Sequence, residues 1–442
     1  MDSFFIKTEE GGYIMKNIYE GMSREELAAE RKQLLKEYQA YKDLGLKLDI
    51  SRGKPSPEQL ALSMPMLDVL HSDVDYLSEN NLDTRNYGSL SGIPEAKRLM
   101  ADVMETRPEN IIIFCDSSLN IMFDLVSKSV THGVMGSAPW YKLPEVKFLC
   151  PVPGYDRHFA ITEYFGIKMI NIPMLDDGPD MDLVEKYVNE DPLVKGIWCV
   201  PKYSNPTGTV YSEEVCFRFA HLKPAAEDFR IYWDNAYNVH HLDISRPRVI
   251  PELIEECRLA GNPDMVYKFG SFSKITFPGS SIAAFAASPA NVADVLSQMK
   301  IQTIGHNKIN MLEHARFFVD RIGVMNHMRK HAAILRPKFE MVQEVLNEKL
   351  GGTGLGDWTN PEGGYFVSFN TLSGCAKTVV KMMKEAGVVL TGAGATYPYG
   401  KDPEDKNIRI APTFAELSEI QKALEIFGCV VKLASCEKYL AE

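Results

Sequence analysis

One lysine in an unusual setting is the first feature of the sequence that points to chemistry. Lys274 ends the string Ser271-Phe272-Ser273-Lys274, which follows an apolar run ending at Phe269. A lysine amine withdrawn from water can form a Schiff base with an aldehyde cofactor, and the hydroxyls of Ser271 and Ser273 suit the oxygens of a phosphate. An ordinary surface lysine is the competing interpretation of this residue taken alone.

Four residues that follow other apolar runs would complete a site for a pyridine cofactor. A carboxylate at Asp234 would keep a pyridine nitrogen protonated and make the ring an electron sink. Tyr237 and Asn205 can both donate a hydrogen bond to the 3-oxygen of such a ring, and Tyr155 offers a flat face for stacking. Taken singly, these residues also fit a helix cap, an ordinary turn or a packed aromatic side chain.

A phosphate and a substrate carboxylate need donors of their own. Ser117, Ser118 and Leu119 open a stretch whose apolar residues recur with helical spacing, so free backbone amides and the helix dipole would face an anion there. A serine N-cap is the alternative interpretation. Arg409, in Asn-Ile-Arg-Ile-Ala, can bind a carboxylate through two parallel hydrogen bonds, although a routine ion pair fits it as well.

These residues share a position relative to the predicted strands. From about residue 95 the chain alternates helical stretches with short apolar runs, which predicts an α/β fold with a mostly parallel sheet covered by helices on both faces. Ligands of such sheets bind at the carboxyl ends of the strands, where the residues above are found. The clearest predicted strands are Ile111–Phe114, Lys147–Cys150, Gly196–Val200, Arg230–Trp233 and Met265–Phe269.

Changes in the pattern of apolar and polar residues along the chain predict three segments. A capping box of Ser23 and Glu26, followed by apolar residues at helical spacing, predicts a helix over 24–43. Residues 1–50 are expected to form an N-terminal arm, loose over 1–14, and this helix, which packs with a small domain. Residues 51–325 are expected to form a large cofactor-binding domain, and residues 326–442 a smaller α+β domain.

The order of the motifs resembles a known family. Asn-Pro-x-Gly from Asn205, Asp-x-Ala-Tyr from Asp234, Ser-x-Ser-Lys ending at Lys274 and a late Arg409 are similar to the class I/II aminotransferases of the fold-type I pyridoxal-phosphate enzymes. The resemblance covers about 48–413. It implies pyridoxal 5'-phosphate as cofactor and a homodimer with shared active sites, in which Tyr87, from Arg-Asn-Tyr-Gly, reaches the phosphate in the neighbouring subunit.

Other strings resemble, more narrowly, a divergent bacterial branch of aspartate aminotransferases: Ser51-Arg52-Gly53-Lys54-Pro55, Pro153-Gly154-Tyr155-Asp156-Arg157-His158 and Ser273-Lys274-Ile275-Thr276-Phe277. Two departures from the wider family change the expected ligands. The segment 278–282 lacks the arginine that neutralises the phosphate in relatives, so Lys308, of the same or of the partner subunit, is the expected cation. One group of relatives holds the distal substrate carboxylate with a lysine where Leu119 stands here, so Arg52 beside Gly53 is the expected replacement.

Composition excludes several other classes of protein. The 442 residues carry a formal net charge of -11 without a basic run, which argues against binding nucleic acid or an anionic membrane. No apolar stretch approaches the ~18 residues of a membrane span. The eight cysteines form no CxxC pair, which indicates buried thiols of a reducing cytoplasm. His240 and His241 lack spaced partners for a metal.

The sequence therefore predicts an enzyme of amino-acid metabolism, a ping-pong aminotransferase that uses aspartate and 2-oxoglutarate. Lys274, Asp234 and Tyr237 are the predicted catalytic residues, and Arg409, Asn205, Gly53 and Arg52 are the predicted substrate ligands. A pyridoxal-phosphate-dependent lyase or decarboxylase on the same fold is the first alternative. The second is a non-catalytic domain that senses an amino acid, and the presence of Lys274, Asp234 and Arg409 argues against it.

Overall fold

The structure is a computed structural model that describes residues 5–7, 13–15, 17–114 and 116–442. Most of the predicted loose arm over 1–14, and Cys115, lie outside the described residues. The strands are β1 Phe5–Lys7, β2 Tyr13–Met15, β3 Leu48–Asp49, β4 Ile111–Ile113, β5 Lys147–Val152, β6 Lys168–Leu175, β7 Gly178–Pro179, β8 Val194–Cys199, β9 Arg230–Asp234, β10 Val266–Ser271, β11 Ala283–Ala286, β12 Gly356–Trp358, β13 Val367–Thr371, β14 Val388–Val389 and β15 Asn407–Ile410. The helices are α1 Arg24–Asp43, α2 Pro57–Ala61, α3 Pro94–Met104, α4 Ser118–His132, α5 Asp156–Tyr164, α6 Met181–Glu190, α7 Glu213–Ala220, α8 Leu253–Leu259, α9 Pro289–Gln302, α10 Lys308–Phe318, α11 Arg321–Leu350, α12 Ala376–Glu385 and α13 Leu417–Ala441.

An eight-stranded sheet with the order β4-β11-β10-β9-β8-β5-β6-β7 forms the centre of the fold. Its middle strands, from β10 to β6, are all parallel, while β11 and β7 run antiparallel to their neighbours. The prediction of a mostly parallel α/β sheet is therefore confirmed. The five predicted strands correspond to β4, β5, β8, β9 and β10, with ends displaced by one or two residues.

Successive side chains of each strand enter different layers, because strand residues alternate between the two faces of a sheet. Ile231 and Trp233 of β9 pack into a core that includes α3, α6, α7, α8 and α10. Tyr232, between them, packs with α4, α5 and α9 on the opposite face. Helices thus cover both faces, and the loops at the carboxyl ends of the strands remain free to form a site.

A separate apolar core joins the two ends of the chain. The capping box of Ser23 and Glu26 is present and begins α1 where the sequence predicts it. The buried face of α1 packs into one cluster with α12, α13 and the small sheet β12-β13-β15. The long helix α11 links the cores, since its first turns pack with the central sheet and its later turns with this cluster. The predicted domain boundaries stay predictions.

Among the described residues, no helix is long and apolar enough to cross a membrane.

Candidate active site

A cavity of about 490 Å³ opens at the carboxyl ends of the parallel strands. Lys274 follows β10 and Asn205 follows β8, so the loops after these strands meet over the sheet edge. Strands β13 and β15 and the segment after Ile50 close the opposite wall. The lining residues are Ser51, Arg52, Gly53, Tyr155, Asp156, Arg157, Asn205, Tyr237, Lys274, Phe366, Val389, Leu390, Thr391, Gly392 and Arg409.

The Lys274 amine points to the phenol of Tyr237. Its Nζ donates a hydrogen bond of 2.9 Å to the Tyr237 hydroxyl and lies 4.4 Å from the centre of that ring. Desolvation in this enclosed position lowers the pKa of the Lys274 amine, against the opposing effect of Tyr155 and Asp234. A lowered pKa increases the neutral fraction of the amine, which is the form that attacks a carbonyl carbon or accepts a proton.

Asp234 is the last residue of β9 and is only 2% exposed. Its Oδ2 lies 3.0 Å from Nε2 of His158, while Oδ1 is buried without a hydrogen-bond partner. A buried, unpaired carboxylate oxygen is costly, so this position suits a ligand that brings a donor. The N–H of a protonated pyridine is such a donor, and the residues present therefore fit pyridoxal phosphate.

His158 is a member of the site to which the sequence analysis gave no role. It lies in the first turn of α5, three residues after Tyr155, and its ring stacks on Trp198 at 4.6 Å between centroids. The Tyr155 ring meets the His158 ring edge-on at 4.9 Å, and burial raises the pKa of the Tyr155 phenol to about 12. Only the close spacing of Tyr155 and His158 in the sequence signals that both face one site.

Arg409 of β15 is 8% exposed, and only part of its guanidinium is hydrogen-bonded within the protein. Its Nη1 donates to Oδ1 of Asp156 at 2.8 Å and to Oδ1 of Asn205 at 3.2 Å. Its Nε is buried without a partner, and the guanidinium lies 4.8 Å from the centre of the Phe366 ring. The guanidinium thus retains an unused donor for a further acceptor, which suits a substrate carboxylate. Nothing in the local sequence around Arg409 signals Asp156 as its partner, because the two residues are far apart in the chain.

The predicted phosphate ligands from two distant segments lie together. Ser273 Oγ donates to the backbone oxygen of Asp116 at 2.9 Å, and the hydroxyls of Ser271 and Ser273 are hydrogen-bonded to each other. Ser117 is the N-cap of α4, and its Oγ accepts from the Leu119 amide at 3.3 Å. Ser118 begins that helix, so the N-terminus of α4 adjoins the turn that carries Lys274.

Tyr87 and Lys308 are not among the residues that line the cavity, and Lys308 lies near Gly88, the residue after Tyr87. The Tyr87 side chain is 76% exposed, whereas Lys308, the first residue of α10, is 6% exposed. The two segments meet at Gly305. A Cβ added to this glycine would lie 2.6 Å from the backbone oxygen of Gly88 and 3.5 Å from Nζ of Lys308. The Lys308 ammonium is therefore close to the backbone of the segment that contains Tyr87 and Gly88. No salt bridge to Lys308 forms among the described residues, and desolvation lowers the pKa of its amine.

This α/β fold, with Lys274 and Asp234 at adjacent strand ends, defines a pyridoxal-phosphate-dependent aminotransferase of fold type I. The family model described as aspartate amino-transferase matches residues 22–442, so the chain belongs to that family.

Individual relatives agree with this assignment. The chain is 44% identical over 428 residues to the aspartate aminotransferase of Corynebacterium glutamicum, a match that spans 96% of this chain and 98% of the relative. The crystal structure of an aspartate transaminase from the same organism matches with a TM-score of 0.92 over 95% of this chain and 98% of that one. The α-aminoadipate aminotransferase of Thermus thermophilus, solved with N-(5'-phosphopyridoxyl)-L-leucine, is 18% identical with a TM-score of 0.71 over 92% of this chain and 95% of that one, which shows the shared fold.

Proposed function

We propose that this aminotransferase moves the amino group of aspartate to 2-oxoglutarate by a ping-pong mechanism, in the cytoplasm and as a homodimer. The observation that carries the proposal is one cavity that holds a desolvated lysine amine and an arginine with an unused donor. The 44% identity to an aspartate aminotransferase supports the choice of substrates. The seven described cysteines are free and buried, which supports a reducing compartment.

Each residue of the cavity has a separate task in the proposed reaction. When bound, pyridoxal phosphate supplies an electron sink for the carbanion formed at the substrate Cα. Asp234, through Oδ1, holds the proton on the pyridine nitrogen. Lys274 would hold the cofactor through its amine and would remove and return the proton at the substrate Cα, a general acid–base role that contributes about 10²- to 10⁴-fold. Tyr237 and Asn205 would hold the ring by hydrogen bonds to its 3-oxygen, and Tyr155 would hold it by stacking.

The substrate lies between two cationic ends of the cavity. Arg409, which is hydrogen-bonded to Asp156 and Asn205, takes the α-carboxylate through the edge that contains the unpaired Nε. Arg52, next to Gly53, takes the distal carboxylate, because it lines the same cavity and forms no salt bridge among the described residues.

The phosphate is held by the N-terminus of α4 with Ser117, Ser118 and Leu119, by Ser271 and Ser273, and by two residues outside the cavity. Tyr87 reaches the phosphate in the partner subunit, in keeping with its exposed side chain. Lys308 supplies the missing cation, because its buried ammonium lacks a counter-ion among the described residues and lies beside the Tyr87 segment.

A panel of amino donors against 2-oxoglutarate, with and without Arg52→Leu, tests the proposal. The native enzyme should convert aspartate in parallel-line, ping-pong kinetics. Arg52→Leu should raise the Michaelis constant for aspartate and leave that for alanine unchanged, with Lys54→Leu as the control on a neighbouring exposed cation. Release of ammonia or carbon dioxide without any 2-oxo acid would instead assign a lyase or a decarboxylase.

A further inference from the structure

Four of the ten histidines surround the turn that begins at Lys274, although they come from three separate segments of the chain. We call this group the imidazole cradle. All of its members are at most 5% exposed, and burial lowers the pKa of each imidazole, so that all four are neutral around pH 7. The members are His240, His314, His327 and His331.

The cradle binds three consecutive residues of the turn. The Lys274 oxygen accepts from Nε2 of His240 and from the Tyr365 hydroxyl, each at 3.3 Å. The Ile275 oxygen accepts from Nε2 of His327 at 2.9 Å. The Thr276 hydroxyl lies 3.0 Å from Nε2 of His314, whose Nδ1 donates to the Asn310 oxygen at 2.8 Å.

The proton positions in the deepest part of the cradle follow from its acceptors. A carbonyl oxygen only accepts, so His327 carries its proton on Nε2. Gln59 Oε1 accepts from the Ser56 amide at 3.1 Å, which fixes the side-chain amide with its NH₂ towards His331. That NH₂ donates to His331 Nδ1 and to the Tyr365 hydroxyl, each at 3.0 Å.

His331 therefore carries its proton on Nε2, which lies 3.1 Å from Nε2 of His327. Two imidazole N–H groups so close together are compatible when both donate to one acceptor. The Ile275 oxygen has a lone pair for each, and its backbone hydrogen bond also acts on the pKa of His331. Adding a proton to His331 would place an N–H against the Gln59 NH₂ and break the chain. The hydrogen bonds thus run in one direction, from Gln59 of α2 to the backbone behind Lys274.

We propose that His240, His327, His331 and Gln59 are positioning residues for Lys274, which set where its amine stands by fixing the carbonyl groups of Lys274 and Ile275. This inference rests on the proposed function, in which the amine both anchors the cofactor and moves a proton. A side chain on a tethered backbone keeps its amine at one distance from the substrate Cα. Misplacement of a reacting group by about 1 Å costs on the order of 100-fold in rate.

His327→Leu removes the 2.9 Å donor to the Ile275 oxygen and leaves the longer one from Ser63 Oγ at 3.5 Å, while His327→Gln restores an N–H close to the position of Nε2. The Leu variant should retain pyridoxal phosphate but lose about 10- to 100-fold in kcat with little change in Michaelis constant. The pKa read from the visible absorbance of the bound cofactor should also shift, because that pKa belongs to the linkage on Lys274. The Gln variant should recover most of both.

Leu346→Ala serves as the control for a loss of stability alone. It deletes buried volume further along α11, roughly 28 Å from His327 along the helix axis, and should lower the thermal midpoint without changing the absorbance pKa. If His327→Leu does not fold, Gln59→Leu removes the two donors to His331 and Tyr365 and should produce the same kinetic and spectral changes.

Two results would overturn the inference in different ways. A His327→Leu enzyme that matches Leu346→Ala, with a lower thermal midpoint but native kcat and absorbance pKa, would leave the cradle as packing only. Borohydride reduction of the native holoenzyme tests the premise separately. Cofactor fixed to a peptide without Lys274 would refute the proposed function, and the cradle with it.

Discussion

Lys308→Met tests whether a buried ammonium outside the cavity neutralises the cofactor phosphate. Methionine keeps the length and the apolar character of the side chain but removes the charge. A hydrogen bond to a charged group contributes about 1.5–3 kcal/mol, so cofactor affinity should fall by about 10- to 150-fold, at 1.4 kcal/mol for each factor of ten. The turnover number at saturating cofactor should change little, because phosphate anchoring and ring chemistry are separate tasks.

The same substitution should change stability in opposite directions with and without cofactor. Lys308 has no ion-pair partner among the described residues, and burial lowers the pKa of its amine, so its charge is unfavourable until an anion arrives. Lys308→Met should therefore raise the thermal midpoint of the cofactor-free protein and lower that of the cofactor-bound enzyme. Lys300→Met, on the exposed surface of α9, is the matched control and should change neither midpoint.

Cofactor retention can be followed by the visible absorbance that remains after dilution, and by the cofactor concentration that restores activity. Normal retention combined with a raised Michaelis constant for dicarboxylic substrates would refute the reasoning and assign Lys308 to substrate binding.

Four further substitutions test the rest of the site and the imidazole cradle. Lys274→Ala should fold and bind cofactor non-covalently without catalysis, and borohydride should no longer fix the cofactor to the chain; retained turnover would contradict the proposal. Asp234→Asn should bind cofactor yet lose about 10²- to 10³-fold in kcat, because no anion holds the pyridine proton, whereas near-native kcat would make Asp234 a structural residue. Asp156→Asn removes the anion that competes for Arg409, so steady-state kinetics should show a Michaelis constant for aspartate about two- to fivefold lower; a higher constant would mean that Asp156 chiefly orients the arginine. Burial lowers the pKa of His331 from 6.5 to about 3. As the pH falls below 6.5, this imidazole therefore binds a proton in the unfolded chain but stays neutral in the folded protein, which lowers the stability of the folded protein. In urea unfolding between pH 7 and 5, His331→Asn should therefore lose stability less steeply than the native protein, by about 1 kcal/mol per pH unit averaged over that range; equal slopes would contradict the neutral assignment.

The sheet and much of the candidate site could be predicted because their signals are local. Each apolar run is followed at once by its polar residues, and parallel strands must bring their carboxyl ends to one edge. Asp234 therefore ends β9, and Lys274 follows the neighbouring strand β10, in agreement with the prediction that both lie at the carboxyl ends of strands. Strand β6, next to the edge strand β7, is not among the clearest predicted strands because it is half exposed and mixes Lys168 and Asn171 with its apolar residues.

Contacts between distant segments could not be predicted from local pattern. Arg409 and Asp156 are separated by 253 residues, and their pairing depends on how β15 packs across the cavity from α5. The imidazole cradle was even harder to predict. His314, His327 and His331 lie on the buried faces of α10 and α11, where the local sequence does not distinguish them from other buried residues. Their common target, the backbone of one turn, exists only once α2, α10 and α11 have packed around it.

In the proposed site, Lys308 on α10 replaces a cation that the segment 278–282 lacks. The segment 278–282, which precedes β11, has no cation. The Asn310 side chain donates to the Ser281 oxygen at 2.7 Å, which fastens the first turn of α10 to this segment. Lys308 stands two residues earlier in that turn, on a helix whose other buried residues, such as Met311 and Leu312, fix it to the core. A cation at the first residue of α10 can therefore be placed next to the segment 278–282 by the packing of that helix. The segment itself then does not have to contain the arginine of the family motif.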